Sequence, residues 1–162
     1  MLRHQIDEKV PIVPQFFSRP KDDDAADEPA RRPDYSASPE ATTILVVDDD
    51  LANLALAQAL LQAEGFEVRV AIDGASMFGV LKTCTPALIL MDIQLPEVDG
   101  WELTRQLKAD PATRDIPVIA ITAYGQTGDE LKAREAGFVE FLAKPISTRQ
   151  LPNIIRRHLP GR

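Results

Sequence analysis

Apolar and polar positions follow two rhythms along this chain. From Thr43 onward, short unbroken apolar runs alternate with longer stretches of helical spacing. Ile44–Val47, Phe66–Ala71, Ala87–Met91, Pro117–Ile121 and Val139–Leu142 have strand length, and a continuous apolar run of that length suits a strand buried on both faces. Between and after them, Leu51–Ala63, Ala75–Lys82, Trp101–Ala109, Thr127–Glu135 and Thr148–His158 are predicted helices. In the first of these, Leu51, Leu54, Ala55, Leu60 and Leu61 hold the apolar positions and Gly65 supplies the stop; Gly137 ends the fourth. Asp73-Gly74 and Asp99-Gly100 are turn signals ahead of the second and third. Five strictly alternating strand–helix units predict an α/β fold, a parallel sheet with helices on both faces joined by right-handed crossovers.

Residues 1–41 follow neither rhythm. They hold six of the thirteen prolines and no glycine, and Lys21-Asp-Asp-Asp-Ala-Ala-Asp-Glu28 is dense in charge. Such a segment buries too little apolar surface to offset its ordering entropy, so 1–41 is expected to be a disordered extension and 42–162 the folded domain. Within the extension, Val10–Phe17 is apolar and punctuated by proline, a candidate for docking through Phe16 and Phe17.

The chemistry gathers at the ends of the apolar runs. Leu88–Met91 ends in Asp92, and Ile44–Val47 runs into Asp48, Asp49 and Asp50. In a parallel sheet those ends open toward solvent at one edge, where open α/β folds keep their sites. Converging carboxylates repel one another, so the cluster should bind a hard cation or hold a proton. Val118–Ile121 delivers Thr122 to the same edge, and Phe141–Ala143 delivers Lys144-Pro145. Taken alone, an Asp triplet before a helix is an ordinary capped helix start, and Asp50 fits that role.

Acid pair, single acid, hydroxyl and lysine, each behind an apolar strand, resemble the receiver domain of bacterial two-component response regulators, the chemotaxis-type single-domain regulators among them. The resemblance spans about residues 41–159, and Met91–Pro96 and Ile121–Ala123 also resemble regulators of kinases in cell-cycle and stress circuits. It implies a flavodoxin-like, doubly wound five-stranded sheet of order 2-1-3-4-5. It implies that Asp92 is the phosphoacceptor, forming an acyl phosphate. Mg²⁺, or Mn²⁺ in its place, is held by Asp49, Asp92 and the backbone carbonyl of Gln94, with Asp48 acting through a bound water. Lys144 then pairs with the phosphoryl oxygens, aimed by a cis Lys144-Pro145 bond. Thr122 and Phe141 form the switch, Phe141 standing where many relatives carry tyrosine. Gln94 and Tyr124 border the pocket and tune phosphoryl lifetime, a bulky Tyr124 shielding the acyl phosphate from water. The readout face is the fourth helix, fifth strand and fifth helix, near Gln126, Glu130 and Arg134.

Partners follow from the same resemblance. Neither His4 nor His158 sits in a helix suited to donating a phosphoryl group, so a histidine kinase or phosphotransfer protein is the expected donor and a second protein the target. The short stretch after Lys144 leads us to expect a stand-alone receiver, monomeric or dimeric on phosphorylation. A net charge of −7 disfavours a nucleic-acid surface, and the apolar runs are far too short to span a membrane. The single cysteine, Cys84, allows no internal disulfide, and the acidic N-terminus lacks an export signal core, which together fit a cytoplasmic protein. Two enzyme classes are disfavoured. A phosphatase using aspartyl phosphate would want an acid at position 94, and a nucleotide site would want glycines where Asp48–Leu51 stands. The remaining alternative is a receiver-fold interaction module that works without phosphorylation. Trp101 is expected to be a packing anchor close enough to the site to report on it.

Overall fold

The computed structural model describes residues 41–123, 129–159 and 161. Five strands, β1 (Thr43–Val47), β2 (Glu67–Ala71), β3 (Leu88–Asp92), β4 (Val118–Thr122) and β5 (Glu140–Ala143), form one parallel sheet of order β2-β1-β3-β4-β5. The helices are α1 (Leu51–Ala63), α2 (Gly74–Leu81), α3 (Gly100–Ala109), α4 (Asp129–Ala136) and α5 (Leu151–His158). The alternation predicted the parallel sheet, and the resemblance implied this flavodoxin-like strand order.

The apolar strands divide their side chains between two cores, because neighbours along a strand point to opposite faces. Ile44, Val46, Leu88, Leu90, Ile119 and Ile121 pack on one side with residues of α1 and α5. Leu45, Val47, Ile89, Met91, Val118 and Ala120 pack on the other with residues of α2, α3 and α4. Central β3 is buried along its whole length, whereas the edge strands β2 and β5 alternate with exposed or half-buried positions, as edges facing solvent do.

Two helix readings change. The expected α5 start at Thr148 moves to Leu151. A helix from Thr148 would place Pro152 in its interior with no N–H to offer the Thr148 carbonyl, whereas in the first turn the missing donor costs nothing. In α1, Leu54, Ala57 and Leu61 are buried, but Leu51 is 72% exposed. The sequence Leu-Ala-Asn-Leu-Ala-Leu-Ala-Gln-Ala-Leu-Leu-Gln-Ala carries no charge on any side, so its spacing does not single out the inward face. For α4, the expected start at Thr127 lies outside the described residues; so do the expectations for residues 1–40, Tyr124 and Gln126.

Both predicted glycine stops hold, with Gly65 at φ 87° and Gly137 at φ 100°. Each closes its helix with a long backbone bond, Phe66 N–H to Leu61 O and Phe138 N–H to Ala133 O, both 3.0–3.1 Å. The two differ in surroundings. A Cβ on Gly65 meets nothing within 4 Å, but one on Gly137 would lie 2.7 Å from Lys108 Cγ. Lys108 cannot swing aside freely, because its Nζ donates to Ile116 O at 2.6 Å and Arg114 O at 3.0 Å. We expect Gly65→Ala to cost about 1 kcal/mol from backbone strain alone, and Gly137→Ala about 2–4 kcal/mol from strain plus overpacking. Equal losses in urea unfolding would contradict this packing.

Candidate functional site

The site residues are carried by strand ends that the sheet ladder ties together. Asp48 N–H donates to Ala71 O (3.1 Å), Ile93 N–H to Ile121 O (3.0 Å) and Lys144 N–H to Thr122 O (2.8 Å). Backbone pairing thus extends past β1, β3 and β5 and fixes Asp48, Asp92, Thr122 and Lys144 along one edge. Ligand oxygens of Asp48, Asp49 and Asp92 lie within 4.8 Å of one another.

Asp48 and Asp92 are each 1% exposed, and Asp49 is exposed. The Asp48 carboxylate accepts from the Asp50 N–H (2.8 Å) and from Asn53 Nδ2 (3.2 Å). Asp92 accepts from the Gln94 N–H (3.0 Å) and from Lys144 Nζ (2.8 Å). The same ammonium stands 3.2 Å from Asp48 Oδ2, so one cation bridges two buried carboxylates. The Lys144-Pro145 bond is cis, as the resemblance implied.

Burial pushes the Asp92 carboxyl above its ordinary pKa; hydrogen bonds from Lys144 and Gln94 work against that rise, and the Asp48 charge adds to it. For Lys144, burial works to lower the pKa, but hydrogen bonds to Asp92 and Asp48 outweigh it and hold the ammonium charged above its ordinary range. Three carboxylates against one ammonium leave the cluster short of positive charge. An all-oxygen set at this spacing suits a hard divalent cation such as Mg²⁺.

Asp50 is the N-cap of α1, accepting from Ala52 N–H (2.8 Å) and Asn53 N–H (3.4 Å). Thr122 is half-buried at the end of β4, and Phe141 is half-buried on β5. Gln94 is exposed at the rim. Arg134 lies on α4, lining a hollow with Phe138, Val139, Glu140 and Phe141.

Two contributors were missed from sequence. Asn53 holds Asp48 from the first turn of α1; its only signal was a position five residues after that acid. Gly100 presses against the end of β3, where a Cβ would lie 2.3 Å from Asp92 O and 2.9 Å from Ile93 Cα. Asp99-Gly100 reads simply as a turn in sequence, but the glycine is also a spacer beneath Asp92. A cavity of 720 Å³ lined by Thr43, Ala87 and Pro117 opens at the opposite ends of the strands, away from all of these groups.

The family model described as the response regulator receiver domain matches residues 44–156, and the chain belongs to that family of two-component signalling modules. It is 39% identical over 117 residues to the polar-differentiation response regulator DivK of Brucella anthropi, covering 72% of this chain and 95% of that one. It is 46% identical over 103 residues to the response regulator PleD of Caulobacter vibrioides, covering 64% of this chain but only 23% of PleD's length. Among solved structures, a putative response regulator from Chloroflexus aurantiacus superposes with a TM-score of 0.71 at 29% identity, covering 75% of this chain and all of that one. The receiver domain of sensor histidine kinase PA1611 from Pseudomonas aeruginosa, solved with a magnesium ion coordinated in its active-site cleft, superposes with a TM-score of 0.68 at 32% identity, covering 75% of this chain and 99% of that one.

The raised Asp92 pKa has a sign that can be checked. The folded state holds this proton more tightly than the unfolded chain, so stability falls as pH rises from the ordinary carboxylate range through the folded value. In metal-free buffer, the stability difference between Asp92→Asn and wild type should shift toward the variant between about pH 4 and neutrality. A difference that stays flat with pH in thermal unfolding would contradict it.

Proposed function

We propose that residues 42–162 act as a phosphoacceptor receiver in which Asp92 takes a phosphoryl group from a phosphohistidine on a histidine kinase or phosphotransfer protein. The single observation that carries this reading is the Lys144 ammonium at 2.8 Å from the buried Asp92 carboxylate, with Asp48 and Asp49 beside it. An Asp92 carboxylate oxygen attacks phosphorus, the phosphorus–nitrogen bond to the donor histidine breaks, and the imidazole nitrogen leaves with the bonding pair. Asp49, Asp92 and the Gln94 carbonyl would hold Mg²⁺, with Asp48 reaching it through a water, and the ion would supply the neutralising charge that lets two anions meet.

Once Asp92 carries the acyl phosphate, its carboxylate charge is gone and three phosphoryl oxygens stand in its place. Lys144 then transfers its ion pair to a phosphoryl oxygen. The Thr122 hydroxyl donates to another, and Phe141 responds by reorienting on β5. A phosphoryl group carries up to about two negative charges, enough to reset this hydrogen-bond network. The face formed by α4, β5 and α5 then presents a changed surface to a downstream protein. Gln94 and Tyr124 govern how readily water reaches the acyl phosphate. The switch is carried by residues 42–162, the setting is cytoplasmic, and a monomer or a phosphorylation-dependent dimer is the working form.

Intact-mass spectrometry after incubation with a small-molecule phosphodonor tests the reading. We expect a gain of one phosphoryl group that requires Mg²⁺ and is absent in Asp92→Asn. No gain in folded wild type, from either a small donor or a phosphorylated histidine domain, would point instead to an interaction module that works without phosphorylation.

A further inference from the structure

Three aromatic rings close a triangle between α3, the connection from α4 to β5, and β5 itself. The Trp101 and Phe138 ring centroids lie 5.5 Å apart at 86°, an edge-to-face contact. Trp101 and Phe141 lie 6.5 Å apart at 50°, and Phe138 and Phe141 6.1 Å apart at 45°. All three ring pairs fall in the range of favourable aromatic contact. The triangle sits against the core on the α2–α3–α4 side, and all three rings pack on it.

Its position matters more than its stability. Phe141 pairs in register with Ala120, and Ala143 with Thr122, so Phe141 and Thr122 project from the same face of neighbouring strands. Trp101 follows Gly100, whose N–H donates to Ile93 O at 2.9 Å and whose Cα has no room for a side chain against Asp92 O. The indole is therefore attached to backbone that cannot shift independently of the phosphoacceptor. One end of the triangle is tied to Asp92 and the other is the ring expected to move.

We propose that Trp101 is a positioning residue that holds Phe141 in its resting place and so sets how readily the phosphorylated form is reached. This rests on the reading of Asp92 as phosphoacceptor. While Trp101 and Phe138 flank Phe141, reorienting that ring costs two aromatic contacts. Removing the indole lowers that cost before any phosphoryl group arrives. The resting population then shifts toward the conformation that stabilises the acyl phosphate, and small donors phosphorylate Asp92 faster.

Trp101 is the chain's single tryptophan, so its emission needs no assignment. With a small phosphodonor and Mg²⁺, emission from the full-length wild type should change in step with the mass gain. In Phe141→Leu that change should be lost while the mass gain remains. Trp101→Leu should be phosphorylated about three- to tenfold faster than wild type, the population factor equivalent to losing an aromatic pair. Introducing Trp101→Leu into a Phe141→Leu background should bring no further gain in phosphorylation rate, because the ring that the indole restrains is gone. Trp101→Phe, which keeps an aromatic ring, should fall between wild type and Trp101→Leu, and it serves if the leucine variant does not fold. An emission change that persists in Phe141→Leu, or unchanged rates in folded Trp101 variants of a chain that is phosphorylated, would overturn the role of Trp101 and leave the receiver reading intact. A wild type that gains no phosphoryl group overturns both.

Discussion

One ammonium between two buried carboxylates is the constraint on which the site depends. Lys144 lies 2.8 Å from Asp92 and 3.2 Å from Asp48, and both acids are almost wholly removed from solvent. Taking such charges out of water is expensive, and a buried ion pair often stabilises no better than apolar residues of the same size. Removing one partner is worse, typically about 3–5 kcal/mol, because the other charge is left uncompensated. The arrangement therefore makes little sense as a device for stability. It makes sense as a balance deliberately left short, in which an exposed third acid, Asp49, turns the pocket into a site for added positive charge.

The rest of the fold supplies the rigidity that this imbalance requires. A central strand buried along its length and two apolar cores leave the acids no route of escape into solvent. Backbone hydrogen bonds that run on past the strand ends fix Asp48, Asp92 and Lys144 relative to one another. Asn53 restrains Asp48 from one side, and Gly100 lets α3 close beneath Asp92 from another. Membership of the receiver family, with DivK of Brucella anthropi similar along nearly its whole length, places this geometry in two-component signalling.

The sheet and its acids were legible because they rest on local rules. An apolar run of strand length that ends in a carboxylate announces both a buried strand and a residue at its mouth. Strand order and the cis Lys144-Pro145 bond came instead through family resemblance, since neither follows from spacing alone. What escaped was tertiary. Nothing around Gly100 discloses that the Asp92 carbonyl will lie against it, and an uncharged helix such as α1 does not say which side turns inward. The start of α5 was decided by a rule present in the sequence, the missing N–H of Pro152, which outweighed the helical spacing upstream of it.

If the site is a charge balance, lysine and divalent cation compete for the same carboxylates. Calorimetric titration of Mg²⁺ into wild type and Lys144→Met at neutral pH tests that most directly. Removing a unit charge a few ångströms from a divalent cation is worth at least about 1 kcal/mol, so Mg²⁺ should bind severalfold tighter to the variant. Equal or weaker binding in a folded Lys144→Met protein would mean that Lys144 does not counterbalance the acids, and the charge-balance view of this site would be wrong.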